Sequence, residues 1–238
     1  MANPHFQNQI LWAGNTVASK HKKNLPMFQT YPSDQTYYSY FNDFMTYASG
    51  DWTITTTEAG SGNASEALTS QAGGALLLTN DDADNDLDFL QLKGESFKLS
   101  TSKRAYFSAR FKVSDATQSD FVMGLQITDT TPLAISDGVY FMKDDGDTNL
   151  DLHIEKDGSD TTTAAITTMA DDTFVTVAWF IDTDTSKVYY SVNNAEPVAV
   201  VNTNLPDDEE LTVSFGIQNG AAAAKTMTID YVTVMIER

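Results

Sequence analysis

The sequence contains no cysteine, which excludes a disulfide scaffold, a thiolate metal centre and a cysteine nucleophile. Basic residues are scarce, with 14 Lys+Arg against 33 Asp+Glu and a formal net charge of −19. A body this acidic repels phosphate, so no nucleic-acid partner is expected for it. No stretch approaches the about 18 consecutive apolar residues of a membrane span, so no membrane partner is expected either. The opening MANPHFQNQILWAGNT lacks a basic n-region and a long apolar h-region. The expectation is therefore no signal peptide, and a protein made in a cytoplasm that either works inside the cell that makes it or leaves by another route, such as lysis. Histidine is limited to His5, His21 and His153, none in a G-x-S-x-G context, and HExxH, phosphate-loop and dinucleotide signatures are missing. No cofactor is expected. Helical periodicity is also lacking: the run Ala221–Ala224 is too short for more than a turn.

What is present is alternation with period two. Ala105, Phe107, Ala109, Phe111 and Val113 alternate with Tyr106, Ser108, Arg110 and Lys112. The pattern returns in 121–128, in 150–155 (Leu150, Leu152, Ile154), in 211–218 and in the closing MTIDYVTVMIE. The stretch 173–182, TFVTVAWFID, is apolar on both faces and suits a central strand. Turn signals punctuate these runs: Ser136-Asp137-Gly138, Asp144-Asp145-Gly146, Asp157-Gly158, Asn193-Asn194 and Pro206-Asp207-Asp208. Half-buried antiparallel strands, roughly a dozen of them, predict an all-β, antiparallel two-sheet sandwich or jelly roll over 37–238.

Charge and aromatics are unevenly spread. Residues 1–50 carry three lysines and two acids, a net of +1, whereas the remainder carries 11 basic and 31 acidic residues, a net of −20. Ten of the 26 aromatics also fall in the first 50 residues. The segment 1–36 holds three of the six prolines and shows no sustained period, so it reads as an extended N-terminal arm. Aromatics on an arm with little core of its own anchor on another surface. The anchor candidates are Trp12, Phe28 and Tyr31, with Lys20, His21, Lys22 and Lys23 as the place that attracts an acidic protein surface. The alternatives are an arm packed on its own sandwich and a solvated lysine cluster.

Two acidic runs, 81–88 and 144–151, raise the question of calcium. Asp145, Asp147 and Asn149 alternate as oxygen donors, but an EF-hand loop needs Gly at position six and Glu at twelve. Those positions hold Leu150 and Lys156 in one run, and Leu87 and Lys93 in the other. Solvated hairpin loops are the favoured reading of both, with a looser calcium site left open. Glycoside hydrolysis needs two carboxylates about 5–9 Å apart. No Glu-x-Asp-x-x-Glu run occurs; Asp151, His153 and Glu155 on one strand face form the best acid/base cluster, which a solvent-facing strand would also show.

The stretches FNDFMTYASGDWTIT, YFSARFKVSD, DTDTSKVYYSVNN and MTIDYVTV resemble strands of concanavalin-A-like and laminin-G-like sandwiches. Residues 37–238 as a whole also resemble virion structural proteins of tailed phages, through DWTITTTEAG, GGALLLTNDDADNDLDFLQLKGESF, VSDATQSDFVMGLQITDTTPL, DGVYFMKDDGD and NLPDDEELTVSFGIQNG. That resemblance implies a capsid decoration or cement protein on the virion surface, with no catalytic residues. The expected partners are the major capsid protein and further copies of the chain, as a dimer or trimer. A carbohydrate-binding module displayed on the virion, with a glycan as partner, is the alternative, and a jelly-roll glycoside hydrolase the third reading.

Overall fold

The computed structural model describes residues 37–59 and 62–238. Among them run sixteen strands and one 3-10 turn, Ser49–Asp51. In chain order the strands are β1 (Tyr37–Asn42), β2 (Trp52–Thr57), β3 (Ser65–Leu68), β4 (Leu76–Thr79), β5 (Leu87–Leu92), β6 (Phe97–Lys98), β7 (Ala105–Val113) and β8 (Ser119–Gln126). There follow β9 (Gly138–Lys143), β10 (Asn149–Lys156), β11 (Ser159–Thr168), β12 (Val175–Asp182), β13 (Lys187–Val192), β14 (Val198–Val200), β15 (Glu210–Asn219) and β16 (Thr226–Glu237).

All the pairings are antiparallel, and they build two eight-stranded sheets. The first has the order β14-β13-β12-β7-β16-β4-β3, with β1 beside the far half of β16. The second has the order β11-β10-β9-β8-β15-β5-β2, with β6 on β15. The expected all-β sandwich is therefore what forms. The alternation read in the sequence fills the space between the layers: Phe107, Phe111 and Trp179 from the first sheet meet Phe121, Phe141 and Phe215 from the second. Phe107 stacks on Trp179 at 5.8 Å, and Phe111 meets Phe121 edge-on at 5.3 Å. β12, apolar on both faces, lies inside the first sheet between β7 and β13, and its outward Ala178 and Phe180 join Tyr106, Met235 and Tyr189.

Three features depart from the sequence reading. There are more strands than expected, because the short β3, β6 and β14 have too few residues for a period to show. The alternation of β16 slips phase between Ile229 and Tyr231, where a bulge turns Asp230 outward to Arg110 and Gln71. The first acidic run is not a solvated loop throughout: Asp86 and Asp88 are buried, at 1% and 0% exposure. Two buried asparagines explain how the backbone winds there. Asn80 donates to the carbonyls of Asp86 and Ile217, and Asn219 donates to those of Asp81 and Ala83.

Candidate functional site

The outer face of the second sheet carries the acid/base residues singled out by sequence. On β10, Leu150, Leu152 and Ile154 enter the core, so Asp151, His153 and Glu155 face outward. His153 lies opposite Tyr140 of β9, which lies opposite Gly124 of β8. The two rings stack at 5.2 Å, and the Tyr140 hydroxyl donates to Glu155 Oε2 at 2.8 Å. His153 Nδ1 meets Asp160 Oδ2 at 3.0 Å, and the Ala165 amide donates to Asp151 Oδ1 at 2.6 Å. Burial pushes the Tyr140 phenol upward, with Glu155 adding to the effect. Burial also raises the Glu155 carboxyl, against the lowering influence of the Tyr140 hydrogen bond. The trio is thus brought together, and each member is engaged with a neighbour.

The middle of this face is roofed by the 127–137 segment. Leu133 and Ile135 pack with Leu87, Phe89, Val122 and Tyr140. Gln91 fastens the segment from both ends of its amide, donating to the Ile127 carbonyl at 2.9 Å and accepting from the Asp129 amide at 3.0 Å. Gln126 donates to the Pro132 carbonyl, and Asp137 accepts from the Asp157 amide at the β10–β11 turn. The sequence hid this roof, because ITDTTPLAISD reads as a plain polar connection.

The calcium candidates sit in the β9–β10 hairpin. Asp147 Oδ1 accepts from the Asn149 amide at 2.6 Å, and the Asp145 amide donates to Asp120 Oδ1 at 2.8 Å. The chain supplies a cation of its own there. Lys143 is buried, and its Nζ donates to the carbonyls of Thr117 and Asp147 at 3.3 and 3.2 Å. Burial pulls the Lys143 ammonium down, while Asp120, Asp147, Asp145 and Asp115 hold it up. Trp12, Lys20, His21, Lys22, Lys23, Phe28 and Tyr31 lie outside the described residues.

Two further places stand out: a cavity that the sequence did not suggest, and a carboxylate cluster built in part from the 81–88 run, for which the sequence leaves a looser calcium site open. A cavity of about 440 Å³ opens beside β1 and β2, lined among others by Tyr40, Phe41, Tyr47, Trp52, Asp51 and Lys93. Lys93 Nζ is held on the Gly50 carbonyl at 2.8 Å. At the β2–β3 edge of the sandwich, Glu58, Asp81 and Asp86 bring carboxylate oxygens within 4.8 Å of one another. Next to them Asp88 is pushed up to about 8, first by burial and then by Glu66 and Glu58.

No protein-family model matches the sequence, and no curated protein matches it by sequence. Solved structures do match, at low identity. One is a protein of unknown function from Shewanella oneidensis MR-1, at 15% identity and a TM-score of 0.61, covering 94% of this chain and 95% of that one. Another is a Bacteroides ovatus mixed-linkage-glucan GH16 protein, at 14% identity and a TM-score of 0.58, covering 82% and 99%. The potassium-bound carbohydrate recognition domain of Emp46p matches at 9% identity and a TM-score of 0.55, covering 81% and 94%. Both glucan-acting and sugar-recognising proteins share this architecture, so the likeness shows one thing: the chain has the antiparallel two-sheet jelly-roll sandwich fold.

Proposed function

We propose that this chain is a non-catalytic structural protein of a tailed-phage virion, a decoration or cement protein on the outside of the head. Residues 1–36 attach it to the major capsid protein, and the acidic sandwich faces solvent or bridges neighbouring capsomers as a dimer or trimer. The resemblance of 37–238 to phage virion proteins supplies the particle. The observation that carries the non-catalytic half is the roofed outer face of the second sheet. There Asp151, His153 and Glu155 are each engaged by a neighbour, and the middle of the face is closed by the 127–137 segment. A hydrolase needs carboxylates open to a bound sugar.

The test is binding of the purified chain to phage heads that lack it, followed by copy counting. Saturable binding at hundreds of copies per head supports the reading, and deletion of residues 1–36 should abolish it. A few copies or none sinks it. For the non-catalytic half, Asp151→Asn with Glu155→Gln should leave a folded protein and change no activity on polysaccharides. A hydrolytic activity lost in that double variant overturns this half.

The aromatic cavity favours a second reading, a glycan-binding module carried on the virion. Tyr40, Phe41 and Tyr47 offer faces on which a sugar ring can stack, and Asp51 and Lys93 offer polar partners for its hydroxyls. A glycan array probed with the wild type and with Tyr47→Ala decides it: a hit lost in the variant supports binding there, and no hit removes the reading.

A further inference from the structure

The cavity beside β1 and β2 lies where β1 borders the first sheet and β2 the second. Register sets its lining. Tyr40 pairs with Val234, a core residue, so its ring turns inward from β1. Trp52 pairs with Leu92, which brings Asp51 beside Lys93, and the Lys93 amide donates to the Asp51 carbonyl at 2.9 Å. Lys93 Nζ donates to the Gly50 carbonyl at 2.8 Å, which fixes the ammonium at the Ser49–Asp51 turn. Tyr47 adds a second ring to the lining, and its hydroxyl is spent on Glu66 Oε2 at 3.4 Å, which holds that ring in place.

Three polar groups of this lining keep hydrogen-bonding capacity in hand. The Tyr40 hydroxyl accepts from Asn42 Nδ2 at 3.2 Å, which leaves its own proton to donate. Burial pushes that phenol up, so the proton stays on. Among the described residues, Asp51 and Lys93 form ion pairs neither with each other nor with any other group. The Lys93 ammonium has N–H bonds beyond the one given to Gly50, and the Asp51 carboxylate only accepts. Two donor groups and one acceptor group thus share one cavity with two aromatic rings. Neighbouring hydroxyls of a sugar match this set, since one can accept from the ammonium while the next donates to the carboxylate. An ionic ligand would gain little here, because Asp51 and Lys93 are both exposed to solvent.

We propose that the cavity binds the end of a neutral saccharide through an unsubstituted vicinal diol, one hydroxyl accepting from Lys93 Nζ and its neighbour donating to the Asp51 carboxylate. The Tyr40 hydroxyl donates to a third sugar oxygen, and the fixed Tyr47 ring gives the apolar side of the sugar a surface to stack on. This rests on the glycan reading of the cavity and names what that site selects. A volume of about 440 Å³ is at the small end for ligand pockets, which suits a chain end and not a long stretch of polysaccharide. The ribose of a nucleotide carries the same diol, but its phosphates would meet a strongly acidic body. β2 and β10 lie toward opposite edges of the second sheet, so this site is separate from Asp151, His153 and Glu155.

The experiment prints neutral and uronate-bearing oligosaccharides on one array, each before and after treatment with periodate, which cleaves vicinal diols, and probes it with the full chain. Binding to untreated neutral spots, lost after periodate, is expected. Asp51→Ala and Lys93→Met should each weaken that binding by about tenfold, and Tyr40→Phe by about threefold. Asp51 and Lys93 are exposed, so their variants should melt as the wild type does. Binding that survives periodate overturns the proposal, and so does binding confined to the uronate spots. Binding lost in Tyr47→Ala yet unchanged in Asp51→Ala and Lys93→Met also overturns it, while the glycan reading stands. No binding to any spot removes both.

Discussion

Gly124 stands where no side chain fits. A Cβ built on it would lie 2.4 Å from the Tyr140 Cα and 2.6 Å from the Val139 carbonyl oxygen, both backbone atoms that cannot swing aside. Gly124→Ala must therefore separate β8 from β9, at a cost of about 3 kcal/mol, measurable by urea denaturation. Asp115 is a second residue with a defined load. Its carboxylate accepts from the amides of Thr117 and Gln118 and from Lys225 Nζ at 2.6 Å, and the Lys225 side chain is only 8% exposed. Burial alone would raise the Asp115 carboxyl, but the Lys225 bond and the two amides outweigh it, and the net shift is downward. A carboxyl lowered in the fold adds stability that is present above the unfolded value and lost as pH falls through the folded one. Asp115→Asn should thus be less stable than the wild type by about 2 kcal/mol at neutral pH, with the gap closing below about pH 4. Melting temperatures of both proteins across that range check the sign, and a gap that stays constant contradicts it.

At the scale of elements, the roof over the second sheet is held by few contacts and should open before the layers part. Gln91→Ala removes both hydrogen bonds of the amide to the 127–137 segment but no inward-facing apolar group. Hydrogen exchange in 127–137 should then accelerate by about tenfold or more, while β8, β9 and β15 keep their protection. Uniform acceleration would mean that the roof and the sheet unfold together. The same scale shows how much was legible in the sequence. Strands β7, β8, β10 and β15 announced themselves because their core-facing positions are apolar at every second residue, and β12 because it is apolar on both faces. The roof did not, because its Ile127, Leu133 and Ile135 are three apolar residues, without a regular period, among eight polar or small ones. The trio Asp151, His153 and Glu155 was legible as one face, since phase alone decides it. The burial of Asp88 was not: Leu87, Asp88 and Phe89 show an acid between apolar residues, and only the pairing with Ile217 reveals that the acid takes the inward position. Lys143 escaped for the same reason, as the last residue of an apolar run whose acidic surroundings are assembled by β8 and the hairpin loop.

For the whole molecule, charge is the property that sequence states most plainly and that structure leaves intact. Residues 51–238 carry a net of −20, so the sandwich repels itself, while the first 50 residues carry +1 with Lys20, Lys22 and Lys23 close together. These two parts predict opposite responses to one variable. Sodium chloride screens the self-repulsion, so in the presence of a chelator the melting temperature should rise between low and physiological ionic strength, by about 3 °C for each kcal/mol of repulsion relieved. The same screening weakens a basic arm on an acidic capsid surface, so affinity for heads should fall by about tenfold over that interval. Replacing Lys20, Lys22 and Lys23 with alanine should flatten the second response and leave the first, because those lysines contribute little to a repulsion set by 31 acids elsewhere. Melting curves and head-binding isotherms in one salt series measure both slopes. If head affinity holds steady while the melting temperature climbs, the attachment is made by aromatic side chains such as Trp12, Phe28 and Tyr31 instead of by the lysines, and alanine at those positions is the variant that should release the protein from the head.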